Sequence, residues 1–242
     1  MWKDNLRGIY YIMLKDMKTY YLKPPAVSWG IIFPVAWILA FYLRNPQDFE
    51  QLLPGLIALT ALFSTTAAEA VVINLELRLR SLERLLLAPI SLPAVLLGKV
   101  LGGVIFGLIM TAAVTLGSML IFEPQVNLLY LALILLPSLL VFSSLGALLC
   151  VLVKEVFEAQ TLLNFPRFLM IFLCGVVYPV LAMPCVLRHI AYLLPLTYTV
   201  DGLCQALGGA GNNNIVVDIV VLVAFVPLFI FPATRLLARR FV

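Results

Sequence analysis

The 242-residue chain is poor in the groups on which soluble enzymes depend. Charged residues make up 12% of it, about half the share of an ordinary soluble domain, too few to clothe a water-facing surface. It has a single histidine, His189, so a histidine-built catalytic or metal site has no second imidazole to draw on. The four cysteines, Cys150, Cys174, Cys185 and Cys204, show no metal-ligand spacing. There is no G-x-x-x-x-G-K-[ST] loop, so this chain does not hold ATP in the P-loop manner. Nor is there a G-x-S-x-G, an H-E-x-x-H or a helix with paired carboxylates, which leaves a membrane protease or lipid-transfer enzyme without its reacting groups. The short alternating segments of a membrane β-barrel are missing as well. No cleavable leader is expected, because the N-terminus stays polar and basic and no A-x-A site follows a short apolar core.

What the chain has instead is apolar length. Hydrophobic residues account for 63% and the mean hydropathy is +1.09. Runs of roughly 20 apolar residues predict an all-α polytopic membrane protein, a single transmembrane domain over 1–242. The net charge of +4 sits in the flanks of these runs and forms no patch, which argues against a nucleic-acid partner.

Residues 1–23 predict an amphipathic interfacial helix. Trp2, Leu6, Ile9, Met13, Met17 and Tyr20 recur at helical spacing, and Pro24-Pro25 ends it. Six spans are expected at about 26–43, 52–74, 95–122, 126–153, 161–178 and 215–234. Gly98-x-x-x-Gly102 and Gly103-x-x-x-Gly107 in the third allow close helix contact. Pro179, Pro184 and Pro195 interrupt the apolar stretch 179–207, which predicts two short re-entrant or interfacial helices there.

Six spans put thirteen Lys and Arg residues on one side and only Arg44 and Arg188 on the other. The rich side holds both termini, the segment from Leu75 to Lys99, and Lys154, and it is expected to be cytoplasmic.

Leu75–Lys99 is the most charged internal segment. Ser81 is placed to cap a short helix that Pro89 stops. Leu75, Leu79, Leu82 and Leu86 share one face, while Glu76, Arg80 and Glu83 lie on another, with Glu76 and Arg80 spaced i,i+4. This pattern fits a solvated interfacial loop or a docking element for a soluble partner.

Charges inside the spans are functional candidates. Glu69 and Arg167 are the substrate-pathway candidates. Arg167 lies nine residues past Glu158, about 13 Å into the bilayer. Glu69 has the alternative of reaching the interface, Arg167 of a structural pairing, and the two could pair with each other. Lys99 is near enough to the cytoplasmic surface to snorkel, and Asp218 is expected at the outer interface. Cys185 and Cys204 both fall in the outward region, where a disulfide is conceivable.

Two segments carry a family resemblance. One is Glu76…Arg80-Ser-Leu-Glu-Arg-Leu-Leu-Leu-Ala-Pro89-Ile-Ser…Gly98-Lys99. The other is Phe172-Leu-Cys-Gly175-Val-Val-Tyr-Pro179…Met183-Pro184…Ala191-Tyr-Leu-Leu-Pro195-Leu-Thr-Tyr198…Asp201-Gly. Both resemble type 2 ABC exporter permeases, in whose pattern Arg80 replaces a usual glycine and Cys174 a usual serine. The resemblance implies a transport subunit that is not itself an enzyme. It implies dimerisation, most simply as a homodimer, and docking to two cytoplasmic ATP-binding-cassette subunits that carry ATP and Mg. It implies that this chain itself binds no cofactor. It also implies that the segment between spans two and three is a coupling helix, with Glu76, Arg80, Glu83, Arg84 and Pro89 as the residues that couple to the ATPase. The cargo is expected to be an amphipathic drug, a lipid or a lipid-linked glycan moved outward across the inner membrane of a prokaryote. The alternative is a stand-alone secondary transporter or membrane-embedded enzyme, for which only Glu69, Arg167 and Asp218 offer ion sites.

Overall fold

The computed structural model describes residues 2–21, 49–79, 81–86, 90–122, 126–209 and 211–240, with isolated positions 32, 36, 39, 40 and 43. Apart from those positions, the first expected span, 26–43, lies outside the described residues. Helix α1 (Trp2–Asp16) widens into a π turn at Met17–Tyr21. Then come α2 (Phe49–Arg78), α3 (Ser81–Leu86), α4 (Leu92–Phe122), α5 (Leu128–Leu152), α6 (Val156–Leu173), α7 (Cys185–Tyr192), α8 (Pro195–Ala206) and α9 (Ile215–Arg239). Among the described residues there is no strand.

Among the described residues four helices, α2, α4, α5 and α9, are long and apolar enough to cross a membrane. Helix α6 is not among them. It begins five residues before the expected 161 and ends at Leu173, where Cys174 caps it and Gly175 turns the chain at φ 84°. Only glycine holds that left-handed conformation without strain, so the span expected to reach 178 stops short.

Helix α2 is the axis of the bundle. Its apolar window is 89% buried, against 11% for that of α9, and it packs on α4, α5, α6 and α8. Its side chains explain the difference. Ala58, Ala61, Ala68 and Ala70 alternate with Thr60, Ser64, Thr65 and Thr66, all buried, so neighbours approach closely. The hydroxyls are satisfied within the helix: Thr60 donates to the Leu56 carbonyl at 2.8 Å and Thr65 to that of Ala61 at 2.7 Å. Helix α9 instead presents Val216, Val220, Val223, Leu228 and Phe231 outward, a face that hydrocarbon solvates.

The two glycine pairs of α4 serve different partners. A Cβ on Gly98 would stand 3.1 Å from Ile12 Cβ, and one on Gly102 would stand 3.2 Å from the Tyr21 ring, so this pair seats α1. Gly103 and Gly107 face the other way, where a Cβ would come within 2.3 Å of Glu69 Oε1 and of Thr65 Cγ2, respectively. One helix thus lies against α1 on one side and α2 on the other.

Helix α1 turns inward on a different stripe from the expected one. Gly8, Ile12 and Asp16 are buried, while Leu6 is exposed. The reason is the close fit of this face: a Cβ at Gly8 would meet Ile90, just before α4, at 2.7 Å, and Ile12 lies against Gly98 of α4.

The proline-punctuated stretch does form two short helices. Pro184 and Pro195 stand at the starts of α7 and α8. Helix α7 buries only Ala191, whereas α8 is buried along most of its length against α5, α9 and α2. The thiols of Cys185 and Cys204 are free, so the conceivable disulfide is not formed.

Candidate coupling site and the buried charges beside it

Helix α2 runs unbroken through Leu75 and Glu76 to Arg78, so the first residues of the charged segment belong to a span. The six-residue α3 follows almost at once. Its Leu82 is 1% exposed and packs in a core cluster with Ile73, Val95 and Ala147, which fastens this short helix to α2, α4 and α5. Ser81 does not act as the expected N-cap. It lies in the first turn of α3, and its hydroxyl donates back to the Glu76 carbonyl at 3.4 Å. Arg80 and Pro89 lie outside the described residues; Glu83 and Arg84 lie on α3, but their side chains are not described.

Glu76 is not on a solvent-facing polar surface. It is fully buried, because α1 closes over this corner of the bundle. Its carboxylate is ion-paired with Lys15 of α1 and, at 2.5 Å, with Lys99 of α4. Lys99 also lies 3.4 Å from Asp16, and Lys15 lies 3.0 Å from Asp16. Two lysines and two carboxylates from three helices therefore form one neutral cluster. Lys99 does not snorkel: its side chain is 1% exposed and entirely committed to this cluster. Only Lys15 keeps some contact with solvent. Burial pulls its ammonium pKa down, but Asp16 and Glu76 more than offset that, leaving it above the ordinary lysine range. The cluster brings in Lys15 and Asp16, which sequence reasoning passed over. A signal was available: Asp16 stands three residues after Met13 and four before Tyr20, a carboxylate set into the apolar stripe of an amphipathic helix.

Glu69 lies two turns from Glu76 on the same face of α2, and it too is fully buried and does not reach the interface. It is within 2.8 Å of Ser143 of α5. Arg167 of α6 is buried on another side of α2. Its Nε donates to Thr66 Oγ1 at 2.9 Å and its Nη1 to Asn164 at 3.1 Å, while the guanidinium lies 4.9 Å from the centre of the Phe63 ring. Glu69 and Arg167 do not pair; among the described residues every ion pair of a side chain inside the bundle belongs to the Lys15–Asp16–Glu76–Lys99 cluster. The open hollow between α5 and α8, lined by Asn127, Tyr130, Gln205 and Gly208, includes neither residue.

Asp218, expected near the outer interface, is buried within the protein in the first turn of α9. It accepts from Gln205 at 3.2 Å and Asn213 at 3.3 Å, while Asp201 accepts from the backbone amides of Asn212 and Asn213 at 2.6 and 2.8 Å. These two carboxylates fasten the turn before α9. Among the described residues no three metal-ligating side chains come together.

Among the described residues, an all-helical bundle with several helices long and apolar enough to cross a membrane, and a short helix set between two of them, is the architecture of a multi-pass membrane protein. Comparison with known proteins gives the class a family. The family described as "ABC-2 type transporter" matches residues 7–207, and the chain belongs to it. It is thus a membrane permease of the ABC-2 type. The chain is 28% identical over 223 residues to the inner membrane transport permease YadH of Escherichia coli K12, covering 90% of this chain and 87% of that one. It is 27% identical over 259 residues to nodulation protein J of Bradyrhizobium diazoefficiens, covering 99% and 92%.

Proposed function

We propose that this chain is the permease of an exporter, spanning the inner membrane six times with both termini cytoplasmic. It works as a homodimer with two ATP-binding-cassette subunits, which bind and hydrolyse ATP with Mg. In this reading α3 docks on the ATPase, with Arg80, Glu83 and Arg84 as its contacts and Pro89 ending the element, while Glu76 acts from behind it. The observation that carries the reading is the position of Glu76 in the last turn of α2, directly before α3 and ion-paired with α1 and α4. A displacement of α3 would pull on α2 through the backbone, and on α1 and α4 through charges that cannot be separated cheaply in so buried a place. The uniformly apolar outer faces favour an amphipathic or lipid-linked cargo.

Charge reversal tests this. Arg80→Glu with Arg84→Glu should leave membrane insertion unchanged and lower both cargo-stimulated ATP hydrolysis in the complex and recovery of the ATPase subunit with the permease. A doubly reversed complex that hydrolyses ATP and exports like the wild type would show that α3 is not the coupling element.

A further inference from the structure

The polar contacts of Glu69 contain one proton too few if its carboxyl is charged. Ser143 Oγ lies 2.8 Å from Glu69 Oε1 and 2.8 Å from the carbonyl oxygen of Val100. A serine hydroxyl has one hydrogen, and a carboxylate and a carbonyl can only accept. With an ionised Glu69, one of these two close oxygen–oxygen contacts holds no hydrogen. A carboxylic acid closes the count, since Glu69 then donates to Ser143 and Ser143 to Val100.

The rest of the surroundings agree. Among the described residues Glu69 Oε2 has no hydrogen-bond partner, and leaving a neutral carbonyl oxygen unpaired costs less than leaving a carboxylate oxygen so. The charged and titratable groups facing it are Lys99 on α4, Asp16 and Tyr21 on α1 and its π turn, and Cys150 on α5. Lys99 is bound to Glu76 and Asp16. Glu76 itself lies two turns along α2, and on α6 Arg167 is turned to Thr66, Asn164 and Gln160. Among the described residues no cation is therefore within ion-pairing distance of Glu69. Gly103 and Gly146 let α4 and α5 close over it: a Cβ on Gly103 would stand 2.3 Å from Oε1, and one on Gly146 would stand 3.2 Å from Glu69 Cβ.

We propose that Glu69 is a proton-binding site of the bundle, its carboxyl neutral while α2, α4 and α5 are closed around it and ionised only when they part. Parting would admit water, which solvates a carboxylate far better than the packed interior does, so the opening movement releases one proton and the closing movement takes one up. The site is independent of whether α3 docks on an ATPase, because it is formed within this chain alone.

Infrared absorption of the full-length protein tests it, in a maltoside detergent that has no carbonyl of its own. At neutral pH exposed carboxyls are ionised, so a carboxylic-acid C=O band reports protected acids. The expected result is such a band in the wild type, its loss in Glu69→Gln and its displacement to higher frequency in Ser143→Ala, where the hydrogen bond to serine is gone. If Glu69→Gln does not fold, the displacement in Ser143→Ala decides alone. A wild type without the band, or a band unchanged in both variants, overturns the proposal.

Discussion

Lys99 carries the charge balance of the cluster between α1, α2 and α4. Its ammonium faces Glu76 and Asp16 and is almost fully buried, so Lys99→Met would leave two buried carboxylates sharing the single ammonium of Lys15. Removing one partner of a buried ion pair typically costs about 3–5 kcal/mol, whereas replacing both by apolar groups of similar size is often neutral. Lys99→Met is therefore expected to destabilise the protein by about that amount in detergent titrations. Adding Glu76→Met should restore most of the loss, because Lys15 and Asp16 remain as a balanced pair 3.0 Å apart. A double variant as unstable as the single one would mean that the four charges are not one unit. Neither Lys15 nor Asp16 is visible as a partner of Lys99 in the sequence, since 83 residues separate Asp16 from Lys99 and only packing of α1 on α4 unites them.

At the scale of elements, the seating of α1 on α4 depends on glycine. Ile12 is 3% exposed, and a Cβ on Gly98 would already stand 3.1 Å from its Cβ. Gly98→Leu should lift α1 from α4. The effect can be read by maleimide labelling of Ile12→Cys in a chain without its native cysteines. Labelling is expected to be slow with Gly98 and on the order of tenfold faster with leucine, since a local opening eased by about 1.4 kcal/mol raises the open population by that factor. Equal rates would place the grip on α1 elsewhere, in the Asn5 side chain, which accepts from the Ser91 amide at 2.9 Å, or in the ion cluster. The glycine spacing announced close helix contact; which helix fills each notch was not readable, because Gly98 and Gly102 point to α1 while Gly103 and Gly107 point to α2.

For the whole molecule, the proposed topology makes a plain prediction. Cysteines placed at Lys3 and Arg240 should react with an impermeant thiol reagent only from the cytoplasmic side, and one at Arg188 only from outside, in the same cysteine-free background. Reaction of Lys3→Cys and Arg240→Cys from opposite faces would require an odd number of spans.

What the amino-acid sequence determined by itself was the class. Apolar runs separated by charge and proline leave no alternative to membrane-crossing helices, because every backbone amide in hydrocarbon must be paired within its own segment. The short helices of 179–207 followed from the local conformational limits of proline. The tertiary structure decided where the charges went. Glu76, Lys99, Glu69 and Asp218 lie close enough to the ends of apolar helices to reach water, yet all four are buried. A charge enters such an interior only where a partner or a proton awaits it. Lys15, Asp16, Ser143 and Asn213 come from other helices and turns, brought there by contacts between residues far apart in the chain.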